Sequence, residues 1–374
     1  MPPVRGFVVH AESAAGATLG DAALTAQFEA LGLAPAVEHG SAPRGRHHYR
    51  LEASHARRWV PDFDTLSLRQ RWSSGLPDAD SALKAEILLS LLASPVEIEF
   101  PSYEELDSAV RMRTFISDAA RRTSMDFHTE RVDRPEAYWV YDDDRGFLLR
   151  PGCDLIDALV HATQPAQSGH QYAFSCYRAT EYVVLLGIAR EARLSHPALL
   201  EALQRQWRLQ PIASGRFHDV FLHEWGTNEA PLPMTWYVPG DRVWFRNPDS
   251  ASSDVSGYEG SWVIYLGQGR FANFWKPGLP YELSTKAVEV YHWRHATYVD
   301  AQGELQMDEH EVERRVSQTL ADPEATRQVL ARMLRYKDNR GVYAEGGCMD
   351  TTRESPRWVR PGTTDIVLPD VRLA

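Results

Sequence analysis

Cysteine is scarce in this chain: Cys153, Cys176 and Cys348 are all that its 374 residues contain. An odd number at irregular spacing excludes a disulfide framework and argues against a structural zinc site. No run approaches the ~18 apolar residues that a membrane helix needs. At the start, Phe7, Val8 and Val9 make too brief an apolar run for a secretory h-region. No internal repeat or low-complexity array occurs. Basic residues are outnumbered, 40 against 51 acidic ones, which leaves a net charge of −11. An acidic surface repels phosphate backbones and anionic lipids, so neither nucleic acid nor membrane is an expected partner. The expected compartment is the reducing cytoplasm, where a free thiol survives.

What is present is the material of a folded protein. A 43% hydrophobic and 10% aromatic content predicts a sizeable core. The length allows two average domains, or one larger domain with extensions. Residues 1–80, with their Ala- and Gly-rich pieces, read as an N-terminal extension, irregular in places. Residues 81–300 read as the core domain and 301–374 as a C-terminal helical pair and tail. Within the core, "DADSALKAEILLSLLAS" predicts a helix that ends before Pro95. "VEIEF" alternates like a half-buried strand, and Ser102 with Glu105 has the spacing of a capping box. "AYWVY-DDDRG-FLLR" predicts a hairpin, and "CDLIDALVHA" and "HPALLEALQRQWRL" predict amphipathic helices. From there to Tyr298 the aromatic, Gly- and Asp-punctuated texture predicts strands. Two helices follow, the second with Asp322 as cap and Pro323 in its first turn.

Chemistry centres on "QYAFSCYRATEYVVLLGIAR", where Cys176 immediately precedes a nearly all-apolar segment. Unpaired N–H groups at a helix start favour the thiolate, which is the nucleophilic form. A helix buried all round is a rigid support for a sulfur that must sit within bonding distance of a carbonyl. The same pattern also suits a small, inert core cysteine.

"QYAFSCYRATEYVVLLGIA", "LPMTWYVPGDRVWFRNPD" and "GSWVIYLGQGRFANFW", in this order, resemble the bacterial spore-coat transglutaminases, the protein-glutamine gamma-glutamyltransferases. "LLASPVEIEFPSYEELDSAVRMR" and "AYWVYDDDRGFLLR" are similar to the family's N-terminal portion, so the resemblance spans about residues 85–290. It implies an α+β fold with an NlpC/P60-like, papain-related core, in which a cysteine-bearing buried helix packs on an antiparallel sheet. It also implies a thiol acyltransferase that joins glutamine to lysine side chains of protein substrates through a thioester, with no metal or other cofactor. The nucleophile falls on Cys176. The family's acidic residue maps to Ser261, with Glu259 two places earlier. Its histidine has no counterpart, since the strand reads Phe271, Ala272, Asn273, Phe274, Trp275. Ser175 stands where well-known members carry an acid.

A replacement base is sought first among histidines, whose pKa lies near neutrality. His170, His223, His292 and His295 are the candidates, and His292 ranks first because it follows the final strands. Asn273 is a hydrogen-bond donor toward a thioester oxygen but accepts no proton at neutral pH. Two expectations stand side by side. In one, Cys176 attacks a glutamine carboxamide and an amine, or water, resolves the thioester. In the other, a degenerate relative keeps the fold and serves as a binding or structural protein.

Overall fold

The computed structural model describes residues 3–371 except 12–13, 44, 73–74, 77, 128–131, 213, 277 and 339–345. Of the tail expected from Asp338, residues 339–345 and 372–374 therefore lie outside the described residues.

Two sheets organise the chain. The first has four strands: β1 (Phe7–His10), β2 (Val37–Ala42), β3 (Arg46–Leu51) and β4 (Ile98–Phe100), in the order β2-β3-β1-β4. Strand β1 runs antiparallel to β3 and parallel to β4, pairing Phe7 with Tyr49 and with Ile98. The N-terminal segment is thus more regular than its composition suggests. Phe7 and Val9, with no exposed surface, pack in one cluster with Leu88 and Leu91 of the helix Ala79–Leu92. Burying each such side chain contributes about 1.5–3 kcal/mol.

The second sheet has five strands: β5 (Leu222–Trp225), β6 (Arg242–Arg246), β7 (Gly260–Gly267), β8 (Arg270–Phe271) and β9 (Arg353–Pro356). Its order is β8-β7-β6-β9-β5 and all neighbours are antiparallel. In the β6–β7 ladder Trp244 faces Trp262 and Phe245 faces Ser261. Strand β9 comes from the C-terminal tail and lies between β5 and β6, so the tail completes the central sheet. The fold is a mixture of helix and sheet, as the sequence led us to expect; the sheet beside the cysteine helix is antiparallel, whereas the N-terminal one is mixed.

The cysteine helix, Cys176–Ser195, spans 20 residues. Ser175 caps it by accepting a hydrogen bond from the Arg178 N–H at 3.3 Å. Val183, Val184, Leu185, Leu186 and Ile188 are all buried, so every face of its middle is covered. It packs most closely against the helix Tyr103–Arg122 and also lies on β7. Gly187 permits this approach: a Cβ there would come within 2.3 Å of the Ile116 side chain.

Ser102 caps the helix Tyr103–Arg122 as predicted, accepting from the Glu105 N–H at 3.1 Å. Glu105 does not complete the capping box. Its buried carboxylate accepts from the N–H groups of Val359 and Arg360, each at 3.0 Å, and from the Thr363 hydroxyl at 2.6 Å. Glu105 is therefore one of the ties between the core and the tail that supplies β9. Glu105→Ala takes the acceptor from one buried N–H, that of Val359, and one half-buried N–H, that of Arg360, and should cost about 1–3 kcal/mol in urea denaturation. An unchanged denaturation midpoint would show that the tail's other ties, such as Glu354 to Arg242 and Asp365 to His223, suffice without Glu105.

Candidate active site

Cys176 is the first residue of its helix and is partly exposed, in a cavity of about 370 Å³. The β6–β7 ladder supplies one side through Gly260 and Ser261. Aromatic rings of Phe127, Tyr258, Trp275, Tyr281 and Trp293 supply much of the wall. The helix Leu283–Trp293 contributes Lys286, Glu289 and Trp293. The helix Glu309–Ala321, from the C-terminal pair, closes another side with Glu309, Val312, Glu313, Val316 and Ser317.

The backbone N–H groups of Trp262 and of Tyr177 lie on the sulfur's side and pull its pKa down. One belongs to β7 and the other to the first turn of the cysteine helix. Paired N–H donors at a reacting centre also stabilise charge developing on an adjacent oxygen. Behind them lies Arg242, almost fully buried, with its guanidinium 3.8 Å from the Trp262 ring centroid and 4.4 Å from that of Tyr177. Arg242 donates to Thr180 Oγ1 of the cysteine helix at 2.8 Å and to Glu354 Oε2 of β9 at 2.6 Å. The tail strand thus neutralises the cation that braces the head of the helix.

Burial pushes the Cys176 thiol up from its ordinary value, and this outweighs the opposing pull of the Trp262 N–H, Lys286, the Tyr177 N–H and Arg242. The sequence led us to expect the thiolate at the helix end; the Tyr177 N–H there does pull that way, but burial outweighs it and favours the thiol. Iodoacetamide labelling of Cys176 should therefore climb into the alkaline range, about tenfold per pH unit below the pKa. Cys348 has no exposed surface and burial pushes it up to about 12, so it should stay unlabelled in the folded protein. Equal Cys176 labelling rates at pH 6 and pH 9 would contradict this.

Of the other residues singled out in the sequence, Asn273 and Ser261 line the cavity with Cys176. The Asn273 amide is engaged locally: Nδ2 donates to the Leu279 carbonyl at 3.1 Å, and Oδ1 accepts from the Lys276 N–H at 3.3 Å. Glu259 is exposed and is not among the cavity-lining residues, although Tyr258 and Gly260 on either side of it are.

His292 is not brought to the thiol. It follows Lys286 by six residues on one helix, about 240° around the axis at 100° per residue, and faces away from the cavity. Its Nε2 meets Thr319 Oγ1 at 2.7 Å. Burial, with His295, Arg315 and Arg294 close by, pushes its pKa down to about 4. His223 is held by Asp365 at 2.6 Å, and His170 and His295 are exposed. No histidine is among the described residues lining the cavity.

Sequence reasoning missed Lys286. It is 2% exposed, and its Nζ donates to Glu289 Oε1 at 2.9 Å and lies 4.2 Å from the Tyr281 ring centroid. The recurrence of Lys286, Glu289 and Trp293 at i, i+3 and i+7 marks one helical face. That signal was available only to a reading that took the segment for a helix rather than a strand.

A solved structure described as "Transglutaminase from Geobacillus stearothermophilus (without C-terminal extension)" is similar at 19% identity and a TM-score of 0.38. The match covers 57% of this chain and 98% of that one. No curated protein matches the chain. Residues 69–286, more than half of its length, match the family model described as protein-glutamine gamma-glutamyltransferase, and they include Cys176 and the sheet strands beside it: the chain belongs to that family.

Proposed function

We propose that the protein is a thiol acyltransferase in which Cys176 attacks a glutamine carboxamide of a protein substrate. Ammonia leaves, and the thioester passes to a lysine amine or, as a variant, to water. The observation that carries this reading is a cysteine at the head of a rigid buried helix, opening into a cavity with two backbone N–H groups on its sulfur's side. Attack turns the carboxamide oxygen into an oxyanion, and backbone donors in a low-dielectric site suit that charge without reorganisation. A helix-borne cysteine beside an antiparallel sheet also favours an NlpC/P60-like, papain-related core.

The rest of the cavity suits the two substrates. Rings of Tyr258, Tyr281 and Trp293 fit the methylene stem of a glutamine or lysine. Glu289, Glu309 and Glu313 give the wall an acidic character that attracts an amine acceptor. Two of these acids belong to the C-terminal helix Glu309–Ala321, which lies beyond the family match.

A second reading, a relative that binds without turnover, draws on one observation: no histidine is among the described residues lining the cavity. Incubation with casein and a fluorescent primary amine separates the two, with ammonia release followed in parallel. The acyltransferase reading expects the amine to enter casein, or ammonia to be released by hydrolysis. Absence of both above pH 8, with Cys176 freely alkylated, would favour the binding reading.

A further inference from the structure

Resting on the acyl-transfer reading, we infer that Lys286 is the proton carrier of the site, donating to the leaving ammonia and accepting from the incoming amine. The cavity itself narrows the choice. Besides Cys176, the titratable side chains on its wall are Tyr258, Lys276, Tyr281, Lys286, Glu289, Glu309 and Glu313. Burial and nearby carboxylates hold Tyr258 and Tyr281 well above the ordinary phenol range, so neither supplies a phenolate. Lys276 is exposed and paired with Glu313, and Glu309 is bound by the Tyr258 hydroxyl at 2.7 Å.

Two cations act on the sulfur, Lys286 from the helix Leu283–Trp293 and Arg242 from β6. A guanidinium does not release its proton in a protein, whereas an amine does. Lys286 is also held in place. Among the described residues one hydrogen-bond acceptor engages its nitrogen, Glu289 Oε1, and the Tyr281 ring lies beside it. An ammonium has three N–H donors, so donors remain for a ligand in the cavity.

The proton account closes with this one residue. In the alkaline range the Cys176 thiol first gives its proton to solvent; the thiolate then attacks the carboxamide carbon, and the carbonyl oxygen takes up the electron pair. As the C–N bond breaks, the Lys286 ammonium gives a proton to the departing nitrogen, which leaves as ammonia. Neutral Lys286 then takes a proton from the acceptor amine as its nitrogen bonds to the thioester carbon. The second tetrahedral adduct expels the thiolate, and thiolate and ammonium are both restored. Glutamine amide plus amine gives substituted amide plus ammonia, with no net proton change.

The test compares wild type, K286R and K286M at pH 8–10 on two readouts: iodoacetamide labelling of Cys176 and incorporation of a fluorescent amine into casein. Arginine keeps the charge beside the sulfur but cannot shuttle a proton, and methionine removes both functions. K286R should label within about threefold of wild type yet lose turnover by roughly 10²-fold or more, the usual weight of general acid–base catalysis. K286M should lose turnover to the same extent and label more slowly as well. Buried Cys348 must stay unlabelled in each variant, which reports that the fold is intact. Turnover within about threefold of wild type in folded K286R or K286M overturns the role of Lys286 and leaves the acyl-transfer reading standing. Wild type that forms neither amine product nor ammonia overturns both.

Discussion

Cys176→Ala should abolish amine incorporation, by roughly 10³-fold or more, while leaving the fold intact. A nucleophile that forms the covalent intermediate has no partial substitute, and its loss leaves only binding and oxyanion stabilisation. The structural cost is small because Cys176 is the first residue of its helix and the cap hydrogen bond is made by Ser175, not by the sulfur. Alanine is also the best intrinsic helix former. The pair of measurements is decisive together: product formation should vanish while thermal denaturation shifts little. Product that persists in Cys176→Ala would move the chemistry to another residue.

Arg242→Met should destabilise the protein by about 3–5 kcal/mol, the range for removing one partner of a buried ion pair. Arg242 is almost wholly buried, and its carboxylate partner Glu354 is itself largely buried in β9. The substitution strands that carboxylate, although His218 also binds it at 2.9 Å. It further removes the guanidinium from the Trp262 and Tyr177 rings, whose residues present N–H groups to the sulfur. The loss in urea denaturation should therefore be accompanied by weaker Cys176 labelling at a fixed pH. A stability change below about 1 kcal/mol would show that Glu354 is adequately served by His218 alone.

Much of the core was legible because its signals are local. The helix Ala79–Leu92 lies in the stretch whose helix formers marked it, and the one at Tyr103 begins at the Ser102 cap expected from the sequence. The hairpin of Trp139–Asp142 and Gly146–Leu149 forms around the expected acidic turn. The cysteine helix stands where its apolar run placed it. What the sequence hid depends on distant partners. Strand β9 reads Arg-Glu-Ser-Pro, with little intrinsic strand preference, yet all four residues are buried between β5 and β6. Its arginine, Arg353, is sheltered 4.1 Å from the Tyr237 ring centroid, a contact that no local pattern announces. Strand β1 pairs in parallel with β4, some ninety residues later, and only then does the N-terminal segment acquire a buried face.

The site was harder to read for the same reason. Leu283–Trp293 contains Val288, Val290, Tyr291 and Trp293, residues that suit strands, and it has no side-chain cap. Packing against the two C-terminal helices overrides that preference. As a helix it turns Lys286 and Glu289 toward Cys176 and carries His292 to Thr319 on another face. The residue type usually sought as a base drew the sequence reading toward His292. The buried cation in the cavity was visible only once the helix and its angular order were known.

The central claim, a thioester on Cys176, is tested most directly by intact-protein mass spectrometry. The protein is incubated above pH 8 with a glutamine-containing peptide and no amine acceptor, then quenched in acid. The account expects an adduct equal in mass to the peptide less ammonia, located on the fragment that holds Cys176 and removed by hydroxylamine. No adduct under these conditions, or the same adduct in Cys176→Ala, would contradict it.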